Sequence, residues 1–553
     1  MMSQKYEAYL TSSMQKITPN WQPTTNPIPL SVLRGDVTAF QVAIRLENWC
    51  YEWAHIKIES LLPSSGLSVR QVKLVPASWP IPGMFPDLLS GLVESDGDYL
   101  GKLKLVPRQF RALWIEIETD YETESGLYLV TVIAENDQKE VICKLETEVE
   151  VIPVSLPKGE VYHTEWFHAD CLADYYQVPV FSERHWALIE NFVSCAVKRG
   201  MNTLLTPTFT YPLDIAEGGE RTTIQLVKVK LELGSYQFDF TLFEKWVNLC
   251  RRCGIENFEM VHLYSQWGAK YAPKIMVEID GVEQMLFGWH TAGIGEAYQA
   301  FLREFLPALD RELERLGIAT NTFFHVSDEP SMAHLESYKK ARAIVEEILP
   351  NYPIIDALTD FEFYQTGVCQ QPIPSNDHIT PFLEAGVKNL WTYYCTAQRG
   401  PESNRFFHLP SAQARIIGVQ IYKYDLAGFL HWGFNFYNSF HSLKPINPYE
   451  TTDADEVFDA GDPFLVYPGP DGMPEESYRL LMMDLAFKDI RALKLLEKLT
   501  CREAVLELVD RLLNYPTMTS FSRSEEPLLR LRYEVNSRIF ESLQVQKGEN
   551  DYE

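Results

Sequence analysis

Through roughly the first 155 residues, apolar and polar positions alternate in short runs. Phe40-Gln41-Val42-Ala43-Ile44, 69–74, Leu113-Trp114-Ile115-Glu116-Ile117, Tyr128-Leu129-Val130-Thr131-Val132 and Glu148-Val149-Glu150-Val151 follow a period of two wholly or in part. A period of two puts every second side chain on one face, so each run predicts a half-buried strand. Several short strands with no helical pattern between them predict a β-sandwich over residues 1–155. Ile152-Pro153-Val154-Ser155-Leu156-Pro157-Lys158-Gly159 then reads as a linker, because two prolines and a glycine break a hydrogen-bonded ladder.

Beyond it the pattern changes to short apolar runs alternating with amphipathic helices, the signature of β/α units around a parallel sheet. Eight strands are predicted at 161–167, 202–207, 258–264, 322–327, 353–358, 367–373, 389–394 and 428–434, of which the sixth has the weakest pattern. Ser182 caps a helix whose stripe runs Trp186, Ile189, Phe192, Val193, Val197 and stops at Gly200. Thr241 and Glu244 form a capping-box pattern that ends at Gly254. Leu335, Tyr338, Ala341, Val345 and Ile348 line one helix face, and the last barrel helix is expected over 475–499. Pro307 weakens the helix pattern that contains it. Eight such units predict a (β/α)8 barrel over 160–500, followed by a helical extension over 501–553. The expected architecture is therefore multidomain, β plus α/β, as a length of 553 residues also demands.

Charge narrows the partners. With 49 basic against 76 acidic residues the net charge is −27. That disfavours nucleic acid, whose affinity rests on Lys and Arg displacing counterions, and equally an anionic membrane surface. The chain opens on a polar stretch, Met1-Met2-Ser3-Gln4-Lys5-Tyr6-Glu7, without an apolar signal core, and no run of about 18 apolar residues follows. Nine scattered cysteines suit a reducing compartment. A cytoplasmic protein is expected. Cys250 and Cys253 form a C-x-x-C, but with no second Cys/His pair at zinc spacing they read as helix-packing residues.

In a β/α barrel the chemistry gathers where strands run into loops. At those ends lie Glu165, Trp166, His168, His262, Tyr264, Gln266, Trp267, His325, Asp328, Glu329, Asp356, Asp360, Trp391, Tyr393, Tyr394, His431 and Trp432. Aromatic rings and carboxylates without a Lys/Arg cluster suit a small, neutral, hydroxyl-rich ligand, a carbohydrate. The sharpest element is His325-Val326-Ser327-Asp328-Glu329-Pro330. Adjacent acids on a regular strand point to opposite faces, so both reach one cavity only if the chain leaves β geometry, which Pro330 favours. A carboxyl beside a second negative charge holds its proton toward neutral pH and suits general acid work. The competing reading is a mere helix cap by Asp328 or Ser331. His168, His262 and His325 match no metal-binding spacing, so neither a metal nor a cofactor is expected. Serine-hydrolase and nucleotide motifs are absent from the sequence.

A sandwich followed by a barrel, with Trp166-Phe167-His168-Ala169-Asp170, the Asp-Glu-Pro segment, Leu390-Trp391-Thr392-Tyr393-Tyr394 and Leu430-His431-Trp432-Gly433, resembles glycoside hydrolase family 123 and a related bacterial group known only as a domain of unknown function. The resemblance spans nearly the whole chain. It implies an exo-acting, retaining β-N-acetylgalactosaminidase in which the substrate's own acetamido oxygen attacks the anomeric carbon, an exception to the two-carboxylate rule. By position, Glu329 is then the acid/base and Asp328 accepts the acetamido N–H. Tyr393 or Tyr394 aims the acetamido oxygen, and Trp391 and Trp432 wall the sugar. Trp166, His168, His262 and His325 complete the substrate-binding set. Members of the family are commonly exported, whereas a chain without an export signal is expected to meet a small imported glycan fragment. Two alternatives stay open. Glu165, Asp356 or Asp360 could serve Glu329 as nucleophile or base on a sugar without an acetamido group, or the barrel could bind carbohydrate without cleaving it. The sequence leaves the oligomeric state open.

Overall fold

The computed structural model describes residues 5–23 and 29–550. Residues 1–4 and 24–28 of the expected sandwich and 551–553 of the expected extension lie outside the described residues. The period-two runs become two five-stranded sheets. One joins Tyr6–Ser12, Val37–Leu46, Phe110–Glu118, Leu67–Ala77 and Gly83–Ser90 in that order. The other joins Leu30–Arg34, Val141–Ser155, Gly126–Glu135, Glu52–Ser60 and Gly101–Leu105. Val42, Ile44, Leu113, Ile115, Val130 and Val132 fill the space between them. The linker begins later than expected. The strand Val141–Ser155 runs through Pro153, which sits in a register shift between Ile152 and Ser155 where no ladder N–H is required.

The second region holds eight parallel strands. Tyr162–Glu165, Thr203–Thr206, Asn257–Met260, Thr322–Phe324, Trp391–Tyr393 and Gly428–His431 form one sheet in which the first pairs with both the second and the eighth. The fifth and sixth, Ile355–Ala357 and Gln371–Ile373, pair with each other. Isolated parallel bridges tie Phe324 to Ile354 and Ser375 to Tyr393. Helices follow the strands, among them Glu183–Lys198, Thr241–Cys253, Glu296–Leu316, Leu335–Ile348, Ser411–Lys423 and Tyr478–Leu499.

Local chemistry sets their ends. Ser182 accepts from His185 N–H as predicted. Thr241 does not cap its helix; Asp239 accepts both its N–H and its hydroxyl one turn earlier. Pro307 lies inside an unbroken helix, because Tyr298, Phe301, Phe305, Leu309 and Leu313 bury a continuous apolar stripe whose packing outweighs one lost hydrogen bond. The last long helix starts at Tyr478 on a Ser477 cap rather than at Glu475.

Two hairpins escaped the sequence reading. Lys228–Glu232 with Ser235–Asp239, and Ile275–Ile279 with Val282–Phe287, join as a four-stranded sheet on the loops after the second and third strands.

The sandwich is docked by buried ion pairs. Arg479 grips Asp87 with two bonds of 2.9 Å, and Arg199 reaches Glu116 at 3.1 Å and Asp484 at 3.0 Å. The C-terminal helices Arg502–Leu513 and Glu526–Asn550 share one apolar cluster with Trp114 of the sandwich and with Leu481 and Leu485 of the last long helix. Among the described residues no helix is long and apolar enough to cross a membrane.

Candidate active site

The fourth strand stops at Phe324, and the chain that follows leaves extended geometry. Glu329 has φ 44, a left-handed conformation that costs a residue with a Cβ about 1–3 kcal/mol and persists only where neighbours hold it. Those neighbours are visible. Asp328 is buried, its carbonyl accepting from Trp267 N–H at 3.0 Å and its carboxylate from the Gln266 amide at 2.9 Å. Ser327 Oγ donates to the Ser265 carbonyl at 2.8 Å and accepts the Gly268 and Ala269 N–H groups. Half-buried Glu329 accepts from Tyr393 O–H at 2.5 Å, and Thr359 lies 3.1 Å from the same hydroxyl. The helix-cap role belongs to Ser331, which leaves both acids free of that duty. Burial, then the charge of Glu329, pushes the Asp328 carboxyl well above the usual carboxylate range.

Beneath the pair lie two buried histidines. His325 Nε2 is 3.0 Å from Glu259, and its Nδ1 is 3.5 Å from Asp356. Glu259 also accepts from the Trp166 indole at 3.0 Å, and Asp356 accepts from Tyr338 O–H at 2.5 Å and Val326 N–H at 3.0 Å. Burial opposes a charged His325, but Asp356 and Glu259 outweigh it and hold the imidazole up at about 9. His262 stacks on His325 at 4.4 Å, and burial with that neighbour drives its pKa well below the ordinary value. His262, His325 and Asp356 offer ligand atoms within 4.8 Å of one another. The two rings are stacked at an interplanar angle of 23°, so their in-plane lone pairs do not converge on one ion. Both His262 ring nitrogens and His325 Nδ1 lack a hydrogen-bond partner among the described residues, and the bonded link runs from Trp166 through Glu259 to His325 Nε2.

A second network joins the first and eighth strands. Buried Arg405 grips Glu165 at 2.7 and 2.8 Å and donates to His431 Nδ1 at 2.7 Å. Burial alone would raise the Glu165 pKa, but Arg405, with the two neighbouring histidines, holds it down at about 2. Asp462, pushed up to about 7 by burial, accepts from the Trp432 indole at 2.9 Å and lies 3.2 Å from His431.

The structure thus brings together Asp328, Glu329 and Tyr393, with Trp166, His262 and His325 packed beneath them. Trp166, His262 and His325, expected to touch the sugar, are buried beneath the acids instead, and three further expectations need correction. Trp391 is two residues below Tyr393 at the start of its strand, stacked on Tyr162 at 5.0 Å and against Phe323, and fills the interior instead of walling a pocket. Tyr394 points the other way, as strand alternation requires, and its hydroxyl lies 3.2 Å from Met483 sulfur in the helical layer. His168 is buried with both ring nitrogens engaged, by the Trp432 carbonyl at 2.9 Å and Arg221 at 3.0 Å, so it braces the eighth-strand loop. Trp432 is half-buried and keeps open surface. Glu259, Arg405 and Asp462 were not singled out. Only Glu259 carried a local signal, a charge inside the apolar run Phe258-Glu259-Met260-Val261.

The Tyr393 contact has a measurable weight. A hydrogen bond between uncharged groups contributes about 0.5–1.5 kcal/mol, so Tyr393→Phe is expected to lower kcat/KM roughly 2–10-fold. Steady-state kinetics decide it: unchanged kinetics would mean that the bond is not kept once substrate binds.

A carboxylate pair at a strand end above buried histidines is a candidate site for glycosidase chemistry. The sequence profile of the glycoside hydrolase 123 catalytic domain matches residues 166–496. The chain belongs to glycoside hydrolase family 123. It is similar over 98% of its length to a family 123 glycoside hydrolase from Clostridium perfringens studied for glycolipid glycan hydrolysis, covering 99% of that chain at 17% identity with a TM-score of 0.74. A β-glucuronidase from Bacteroides uniformis (11% identity, 84% and 48% coverage, TM-score 0.30) and a β-galacturonidase from Eisenbergiella tayi (10%, 87% and 72%, 0.31) are far more distant in shape. No curated protein sequence matches.

Proposed function

We propose that this enzyme is an exo-acting, retaining β-N-acetylgalactosaminidase that uses the substrate's acetamido oxygen as nucleophile. Glu329 gives its proton to the leaving oxygen and later takes one from the attacking water. Asp328, which holds a proton in the free enzyme, gives it up when substrate binds, and as a carboxylate accepts the acetamido N–H and stabilises the cyclic oxazolinium cation as it forms. Tyr393 holds Glu329 in the position from which it donates.

One observation carries the reading: every other carboxylate considered as a nucleophile is already engaged. Glu165 is clamped by Arg405, and Asp356 serves His325, Tyr338 and Val326 N–H. Asp360 caps the helix Phe361–Gln365 and accepts from Met332 N–H. With these three carboxylates engaged and Asp328 beside the acid, the arrangement supports a nucleophile that arrives with the substrate.

The cyclic strand order, joined through the Phe324–Ile354 and Ser375–Tyr393 bridges, supports a closed (β/α)8 barrel over 160–500 between the sandwich and the helical extension. Nine unpaired cysteines support a cytoplasmic setting.

The test is a panel of nitrophenyl glycosides with and without the acetamido group. Release from the β-N-acetylgalactosaminide and inhibition by a thiazoline mimic of the cyclised intermediate are expected. Turnover confined to sugars without the acetamido group would overturn substrate assistance.

A further inference from the structure

Leu103 and Leu105 of the edge strand Gly101–Leu105, with Ala54 and Ile56 of its neighbour Glu52–Ser60, fill the sandwich interior. Strand alternation therefore sends Lys102, Lys104 and Trp53 to the outer face. In the pairing, Trp53 stands opposite Lys104, and His55 opposite Lys102. Each lysine leans along the partner strand. The Lys102 ammonium lies 5.0 Å from the centre of the Trp53 ring, and the Lys104 ammonium 4.8 Å from that of Tyr51. Arg108 continues the series, its guanidinium 5.0 Å from the Trp49 ring centre. Its backbone is left-handed, with φ 57, and is held by an N–H bond to the Leu46 carbonyl at 2.7 Å. Three rings spaced by two along the chain, each under its own cation, form one stripe at the edge of the sheet.

Two features separate this stripe from ordinary surface. Trp49 is 80% and Tyr51 65% exposed, so large rings are left in water side by side. The charges, too, are unusual. Neighbouring Lys5 and Lys57 also lie over rings, those of Tyr6 and Tyr99, yet they pair with Glu52 at 2.9 Å and Glu135 at 3.9 Å. Lys102, Lys104 and Arg108 have no carboxylate partner among the described residues, in a chain with 76 acidic residues against 49 basic ones. A cation–π contact of about 0.5–1 kcal/mol holds each side chain over its ring, so the three charges are presented already ordered. Lysines on an edge strand also discourage pairing with another sheet, but that role does not call for exposed tryptophan beside them.

A partner that fits carries repeated negative charge with flat apolar faces between the charges. An acidic glycan has both: the C–H faces of its pyranoses lie on the aromatic rings, and its carboxylates or sulfates meet the cations. Nucleic acid fits less well, because a phosphate at every nucleotide is repelled by the rest of a molecule with net charge −27. We propose that this stripe is a second carbohydrate site, on the sandwich and separate from Asp328 and Glu329, and that it binds an acidic glycan. It goes beyond the function proposed above and does not depend on acetamido chemistry.

The experiment measures binding to the full chain by calorimetry, using oligogalacturonate, its fully methyl-esterified form and dextran sulfate. Esterification keeps the pyranoses and removes the charge. Wild type is expected to bind one of the two acidic glycans at least tenfold more tightly than the ester, and which one it is tells carboxylate from sulfate. Lys102→Ala/Lys104→Ala/Arg108→Ala is expected to lose about tenfold in affinity for it, as three exposed charge pairs imply. Trp49→Ala/Tyr51→Ala should weaken it as well, whereas Lys102→Arg/Lys104→Arg should bind as wild type does. Wild-type affinity in either alanine variant, equal binding of ester and acid, or binding of neither acidic glycan overturns the proposal. Equal or tighter binding of oligothymidylate, polyglutamate or phosphatidylserine vesicles also overturns it, since the stripe would then recognise any polyanion or a lipid surface and not a sugar.

Discussion

Glu329→Gln is expected to lower kcat/KM on a sugar–sugar linkage by about 10²–10⁴, the usual weight of a positioned general acid. The amide is nearly isosteric and can still meet the Tyr393 hydroxyl at 2.5 Å, so the change removes the proton and little else. The loss should depend on the leaving group. Nitrophenolate departs with little protonation, so the variant retains more activity on nitrophenyl glycosides than on disaccharides. Kinetics on both series give the answer. Wild-type turnover of the disaccharide by Glu329→Gln would remove Glu329 from the mechanism.

Asp328→Asn is expected to cost about 10²–10³ in kcat/KM, the range found when one group that stabilises developing charge is deleted. The same substitution should make the protein more stable. Burial and Glu329 raise the Asp328 pKa on folding, so the folded chain keeps a proton that the unfolded chain has lost. The stability tied to that proton is complete below the ordinary carboxylate range, and it is lost as pH rises through the raised folded value. Asparagine does not ionise and escapes this loss, and its oxygen can still accept from Gln266. The melting temperature of Asp328→Asn should therefore exceed that of wild type by a margin that is smallest in acid and widens toward alkaline pH. A margin that narrows with rising pH would show that Asp328 is ionised and stabilising in the folded enzyme, against the burial argument.

Much of this site is legible in the sequence. Residues 113–117 and 128–132 fall inside strands because alternation is a local property that survives folding. The Asp-Glu-Pro segment announced a break in strand geometry, and Glu329 at φ 44 is that break. Depth along a strand was not readable. Trp391 and Tyr393 share a face, and only the stagger of neighbouring strands puts the first against Tyr162 and the second against Glu329. Arg405 has no periodic context, so its grip on Glu165, 240 positions away, exists only in the fold. The hairpin Lys228–Glu232 and Ser235–Asp239 is a different kind of miss. Its alternation around Leu233-Gly234 is plain, but a strict strand–helix alternation left no slot for it.

Asp87 and Glu116 sit on the sandwich, while Arg479 and Arg199, which they neutralise, lie in one helix and just past the end of another in the other region. Stranding an arginine in the interior without its counter-ion costs several kcal/mol, a large share of what keeps any chain folded. Neither half can therefore be cut away cheaply. Heating should dissolve both in a single cooperative melt, and the sandwich acts as the catalytic half's built-in scaffold rather than as a detachable passenger.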